Sequence, residues 1–271
     1  MANELVNNND AVMDFSAFKS SDFQVVGLDL DASDMKLPKV KLMQETSQEK
    51  TKSKGKILGG QFYNTQSQTA KDKIDCVLLD QGKSMVMWKK PFKRGEEPLC
   101  RSFDGHVKAD GCGDGRCATC QYSSQNPTAW KNLPAGETKP PCNMSYVFLA
   151  LDCETNLPFR IIVSGASVSN AKNFLNKLAP LRISPFMAKV TLTSSQQENE
   201  QGIFYVIDFE NLRPNDDLID KTTGQMDIAK CKEMEDLSKS YKELFMTNFA
   251  ANDAVDMDVV SSDDNEEGGL F

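Results

Sequence analysis

The sequence has one histidine, His106, in 271 residues. That scarcity excludes a His-rich catalytic metal site and leaves no convincing Ser-His-Asp arrangement. It contains no GxxxxGK[ST], no GxSxG, and no GxGxxG at a strand-to-helix junction, so phosphate-cradling and nucleophile-elbow chemistry are not expected. The His/Cys-x-Glu element of a zinc deaminase is missing as well, since Cys117 follows Arg116. No apolar run approaches the length of a membrane span. No apolar h-region opens the sequence, so the expectation is a cytoplasmic protein whose eight cysteines meet a reducing environment. No Lys or Arg follows Lys242. These absences together predict a protein that is not an enzyme.

What is present is unevenly distributed. The net charge of -8 comes from 39 acidic and 31 basic residues. Eight of the acidic residues lie from Glu243 onward, so the body up to Lys242 is neutral. Within it, Lys36–Cys142 holds 19 Lys and Arg against 11 Asp and Glu. The last stretch, DAVDMDVVSSDDNEEGGLF (Asp253–Phe271), has seven acidic side chains and ends in Leu270-Phe271. Such a composition does not fold alone. It can occupy a basic groove in competition with a polyanion, and it can present an apolar anchor and a carboxylate to a partner. The partner-binding candidates are Asp263, Asp264, Glu266, Glu267, Leu270 and Phe271; a merely solubilising tail is the alternative.

The texture predicts four parts: a flexible arm over 1–35, a core over 36–225, an amphipathic helix over 226–246, and a disordered acidic tail over 247–271. The second half of Lys36–Lys56 reads as a mobile, Lys-rich loop. ILGGQFY (57–63), IDCVLLD (Ile74–Asp80) and SMVMWKK (Ser84–Lys90) read as strands, with a hairpin turn at Gln81-Gly82-Lys83 between the last two. MSYVFLALD (Met144–Asp152) and PFRIIVSG (Pro158–Gly165) flank a turn at Glu154-Thr155-Asn156. Ser167–Ala179 reads as a helix capped by Ser167. Phe186–Ser194 and Gly202–Leu212 read as further strands. Asp227–Phe245 repeats Ile228, Cys231, Met234, Leu237, Tyr241 and Leu244 at helical spacing, a stripe read as core packing. Strands in groups around one short helix suggest a mainly β, OB-fold-like barrel.

Residues 91–142 differ. They are rich in Pro and Gly and lack apolar periodicity, so something other than a hydrophobic core must order them. Cys117-Ala118-Thr119-Cys120 is a CxxC knuckle, a spacing that lets two thiolates meet one ion. Cys100 before the loop and Cys142 at its end would complete a closed tetrahedral zinc site. Zinc would supply the folding free energy that this segment's missing core cannot. Cys112 could replace Cys100, and His106 is a further alternate. Cys76, Cys153 and Cys231 fall in apolar texture and read as small buried hydrophobes.

Single-strand binding needs cations and aromatic faces on which bases stack. Trp88, Lys89, Lys90, Phe92, Lys93 and Arg94 interleave both. Phe62 and Tyr63 follow Lys54 and Lys56, and Trp130 sits in the cysteine-rich segment with Arg116. The competing reading makes Trp88 and Phe62 core residues and the lysines a solvated face.

The tip DDNEEGGLF, together with KKPFKRGEEPLCRSFDG, CATC, a Trp and PPCN, resembles the phage-type single-stranded DNA-binding proteins. The resemblance implies an OB-fold with one structural zinc in an inserted lobe. It also implies a tail that gates the DNA groove and recruits replication, recombination or repair proteins. The all-cysteine ligand set departs from the mixed His/Cys set of the best-known zinc-bearing member. Two other readings remain open on the sequence: a zinc-ribbon regulator that binds duplex DNA or RNA polymerase, and a nuclease or recombination enzyme.

Overall fold

The computed structural model describes residues 37–90, 97–108, 110–111, 115–133, 135, 137–200 and 202–252. The arm over 1–35 and the tail candidates Asp263, Asp264, Glu266, Glu267, Leu270 and Phe271 lie outside them. The described chain is mainly β, a single sheet that curls into a half-barrel. Its elements are β1 (Lys39–Leu42), α1 (Gln48–Lys52), β2 (Phe62–Asn64), β3 (Ala70–Lys71), β4 (Ile74–Met87), β5 (Cys100–Ser102), β6 (Asp110–Gly111), α2 (Pro127–Lys131), β7 (Cys142–Asp152), β8 (Pro158–Val163), α3 (Ser167–Leu178), β9 (Ala188–Asn199), β10 (Gly202–Pro214) and α4 (Ile228–Asn252). The main path runs β10-β9-β4-β7-β8-β1-β2-β3, with β1 parallel to β8.

β4 organises the sheet. It is continuous through Gln81-Gly82-Lys83, so the expected hairpin turn there is incorrect. The sequence misleads because the inward-facing parity changes. Ile74, Cys76 and Leu78 face the main core, whereas Gln81 and Lys83 lie opposite Phe148 and Tyr146 of that same core face. A register shift between Leu78 and Asp80 accounts for the change: the extra residue of a β-bulge moves every later side chain to the other face.

The two faces of the sheet are covered differently. The inner face packs Val40, Phe62, Phe148, Phe159, Ile161 and Leu192 against Ala171, Phe174 and Leu178 of α3. Phe174 and Phe209 stack at 4.7 Å between centroids, and Phe148 tilts against Phe209 at 5.2 Å. Spacings of three and four put Ala171, Phe174 and Leu178 on one stripe of α3. Ser167 is the first residue of α3 and does not cap it. Its hydroxyl instead accepts the Ile207 N–H at 2.9 Å.

The outer face packs Val77, Leu79, Leu149 and Leu151 against Cys231, Met234, Leu237 and Tyr241 of α4. The stripe reading holds for these four. Ile228 is 80% exposed and does not belong to it, and the Leu244 side chain lies outside the described set. α4 also runs past its expected end at 246. Ser238 Oγ donates to the Leu79 carbonyl at 2.8 Å, and Lys242 pairs with Asp80 at 2.9 Å, so the helix fastens to the bulge itself.

The sheet's edge strand, β10, is satisfied by side chains. The Gln44 amide donates to the Tyr205 carbonyl at 2.9 Å and accepts the Tyr205 N–H at 2.8 Å, mimicking a neighbouring strand. Asn170 Nδ2 donates to the Ile207 carbonyl at 3.1 Å beside the Ser167 bond. The Tyr205 ring lies on Gly59-Gly60. Gly60 has φ +83°, and a Cβ there would come within 2.9 Å of the ring. α1 occupies the second half of the Lys-rich segment expected to be a loop, and the strand expected over 57–63 begins at Phe62.

Candidate nucleic-acid interface and cysteine lobe

Residues 88–141 connect β4 to β7 and form a lobe. Its base is sheet: Met87 lies directly opposite Cys142 on β7 and opposite Cys100 on β5. Cross-strand partners share a face, so both cysteines flank Met87 on the inner side. They join Met85 and Cys117 in one buried cluster. Cys120 is buried too, at 9% exposure, outside that cluster. The knuckle is one tight turn in which the Thr119 and Cys120 amides both donate to the Arg116 carbonyl, at 3.3 and 3.0 Å. Backbone bonds hold it to the lobe's two ends: Cys117 N–H to the His106 carbonyl at 2.8 Å, and Cys142 N–H to the Tyr122 carbonyl at 2.9 Å.

The donor chemistry suits zinc, because four buried thiols in a segment with few apolar residues form the set that structural zinc favours. Among the described residues, no three His, Cys, Asp or Glu side chains stand in a group that could hold an ion. Of the two alternates, Cys112 lies outside the described residues. His106 is exposed and contributes its carbonyl to the knuckle. None of the described cysteines is in a disulfide. Cys76 is fully enclosed, and burial pushes its thiol well above the ordinary range. It behaves as a core residue, and Cys153 and Cys231 pack against the outer-face core.

Asp104 turns the chain after β5. Its Oδ1 accepts the His106 and Val107 amides at 2.7 and 2.9 Å and the Ser102 hydroxyl at 2.9 Å. Partial burial opposes ionisation, but these three donors outweigh it and hold the carboxyl below the usual range. Gly105 then passes over β4, where a Cβ would meet the Lys83 Cβ at 2.6 Å. Gln125 Nε2 donates to the Gly105 carbonyl at 2.8 Å.

Asn126 ties α2 to the knuckle. Its Nδ2 donates to the Thr119 and Cys120 carbonyls at 3.0 and 3.1 Å, and its Oδ1 accepts the Thr128 amide at 2.9 Å as the helix cap. The Trp130 indole N–H donates to the Ser124 carbonyl at 2.9 Å, yet the residue is 48% exposed. Tyr122, at 36%, is exposed on the same lobe.

The predicted DNA-binding residues fall into two groups. Trp88, Lys89, Lys90, Arg116 and Trp130 belong to the lobe and its root. Lys89, Lys90, Arg116 and Trp130 are exposed and Trp88 is half-buried; Lys90 pairs with Glu137 at 2.7 Å. Lys54, Lys56 and Tyr63 belong to the β1–β2 side of the sheet. Both lysines are exposed and Tyr63 is half-buried. Phe62 must be corrected. At 1% exposure inside the main core it has no face to offer a base. Phe92, Lys93 and Arg94 lie outside the described residues.

The structure adds Lys83, whose ammonium lies 5.9 Å from the Tyr146 ring on the sheet's inner face. Reading a turn at 81–83 hid it. It also adds Asn126, for which the sequence carried only a weak signal, an Asn before Pro at a helix start. Among the described residues no helix is long and apolar enough to cross a membrane.

One protein-family model, described as Pam3 phage gp34-like protein, matches residues 8–235. No curated protein and no solved structure matches.

Proposed function

The chain belongs to the Pam3 phage gp34-like protein family, and we propose that it is a non-enzymatic protein that binds single-stranded DNA without sequence preference. The observation that carries this reading is the surface of the +8 segment. Lys52, Lys54, Lys56, Lys89, Arg116 and Lys131 are exposed, and Trp130 and Tyr122 are exposed with them. Cations track a phosphate backbone and aromatic faces receive unpaired bases. A curled β-sheet of the OB type is a suitable carrier for both. The family's phage name fits a host bacterial cytoplasm, and the proposed single-strand binding would serve replication, recombination or repair there.

One structural zinc, held by Cys100, Cys117, Cys120 and Cys142, fixes the lobe. The supporting observation is shared burial: Cys100, Cys117 and Cys142 lie in one buried cluster with Met85 and Met87, and Cys120 is buried on the same knuckle as Cys117. When bound, the ion supplies a cross-link between the β4–β7 root and the knuckle. The acidic tail competes with DNA for the cationic surface, and Leu270-Phe271 is the part that partner proteins read.

A salt-dependent titration with matched single- and double-stranded oligonucleotides tests the proposal. The expected result is tighter binding of the single strand, with log affinity falling linearly against log salt. Equal or stronger binding of the duplex refutes it and favours a regulator that reads duplex DNA.

A further inference from the structure

Trp130 is one of two tryptophans in the chain and one of the largest apolar groups left in solvent. Its exposure is not that of a mobile side chain. The indole nitrogen is fixed to the Ser124 carbonyl, so the ring has one orientation. The helix beneath it is capped by Asn126, whose amide also grips the knuckle carbonyls of Thr119 and Cys120. Ser124 in turn donates its N–H to the Cys142 carbonyl at 3.0 Å. Both supports of the ring therefore lead back to the cysteine-bearing backbone. The indole's polar edge is satisfied while its apolar ring stays half in solvent, the arrangement by which a Trp offers a face to a ligand.

Charge decides the occupant. Residues 115–133, which carry both Tyr122 and Trp130, contain Arg116 and Lys131 and no Asp or Glu. Arg116 and Lys131 are exposed. An anionic ligand with flat apolar faces matches that combination, and a nucleobase on its phosphodiester strand is such a ligand. In a duplex the base faces are stacked on one another, so the ring selects unpaired bases.

We propose that Trp130 is the stacking platform for an unpaired base and that Asn126 is its positioning residue, coupling the platform to the cysteine knuckle. This inference rests on the single-strand-binding reading and specifies where in the molecule the stacking occurs.

The test uses the full chain and oligo(dT). Tryptophan fluorescence and the anisotropy of a labelled strand are recorded together. Trp130→Ala is expected to weaken binding about 5- to 150-fold, the range of one lost stack, with the salt slope unchanged because no phosphate contact is lost. Trp130→Phe keeps a ring, so it should bind nearly as well as wild type while losing most of the fluorescence quenching. Asn126→Ala should weaken binding, and combining it with Trp130→Ala should add no further loss, since both act through one ring. A merely structural Asn126 would instead give additive losses.

If wild type binds the strand and Trp130→Phe quenches as wild type does, the platform is refuted while single-strand binding stands. The same holds if Trp130→Ala binds unchanged. If wild type binds no single strand, both readings fall. A Trp130 occupied by a protein instead would appear as unchanged DNA binding in Trp130→Ala, which overturns the proposal.

Discussion

Replacing Gln44 with Ala should open the sheet's seam locally. The Gln44 amide fills both the outward N–H and the outward C=O of Tyr205, at 2.8 and 2.9 Å. Alanine removes both partners at once. A net hydrogen bond contributes about 1 kcal/mol, and more where water cannot replace the lost partner. Tyr205 is half-buried with its ring against Gly59-Gly60, so the expected loss is about 2 kcal/mol. For a domain of this size that lowers the midpoint temperature by about 4–8 °C. Tyr205→Phe is the control: it removes an exposed bond from the Tyr205 hydroxyl to Glu45 at 3.2 Å and should cost less than about 0.5 kcal/mol. Urea denaturation gives the free energies, and amide exchange at Tyr205 gives the location. In Gln44→Ala that amide should exchange faster while those of β7 do not. A loss below about 0.5 kcal/mol with unchanged Tyr205 exchange would refute the idea that a side chain closes the edge.

Three further outcomes are expected. The Asp75 carboxyl is held below its ordinary range by a hydrogen bond from Thr191 and by Arg213, against partial desolvation. Its contribution is therefore full above the unfolded value of about 3.9 and is lost as pH falls through the lower folded value. Asp75→Asn should lose less stability than wild type between pH 7 and pH 3, read from urea midpoints. Leu237→Ala should cost about 1–2 kcal/mol because Leu237 packs half-buried on the outer-face core, while Ile228→Ser should stay within about 0.5 kcal/mol. Native mass spectrometry should find one zinc per chain, lost in Cys117→Ser and Cys142→Ser and kept in Cys231→Ser; a wild-type spectrum without zinc ends that assignment.

The parts of the fold legible in the sequence were those with an unbroken period. The α3 and α4 stripes follow from helical spacing and β8 from alternation, while β7 follows from an uninterrupted apolar run buried on both faces. The pattern of β4 reads as two strands because a bulge breaks period two just as a turn does, and Gln81-Gly82-Lys83 has turn composition. Phe62 reads equally as a stacking face or a core residue, because a sequence does not show which alternate residue of a short strand faces inward. That the segment between Met87 and Cys142 differs from the strands around it was readable from its composition. Its internal wiring was not, because that depends on Asp104, Asn126 and Ser124 bonding to backbone groups far from any periodic pattern. Gln44 carried no signal at all, since its partner lies 161 positions away.

The direct pairing of Met87 with Cys142 has a consequence for how the chain reaches this shape. The β4–β7 pair must close across residues 88–141, where a tight hairpin would close across a few. That difference costs about 2 kcal/mol of chain entropy. β5 shortens the search, because Cys100 pairs with the same Met87 across a much smaller span. The β4–β5 pairing can therefore form while β7 is still unpaired, whereas the bonds that Tyr122 and Ser124 make wait for Cys142, the first residue of β7. On this account β5 is the first part of the insertion to pair, and the rest of the lobe closes only when β7 brings Cys142 to Met87.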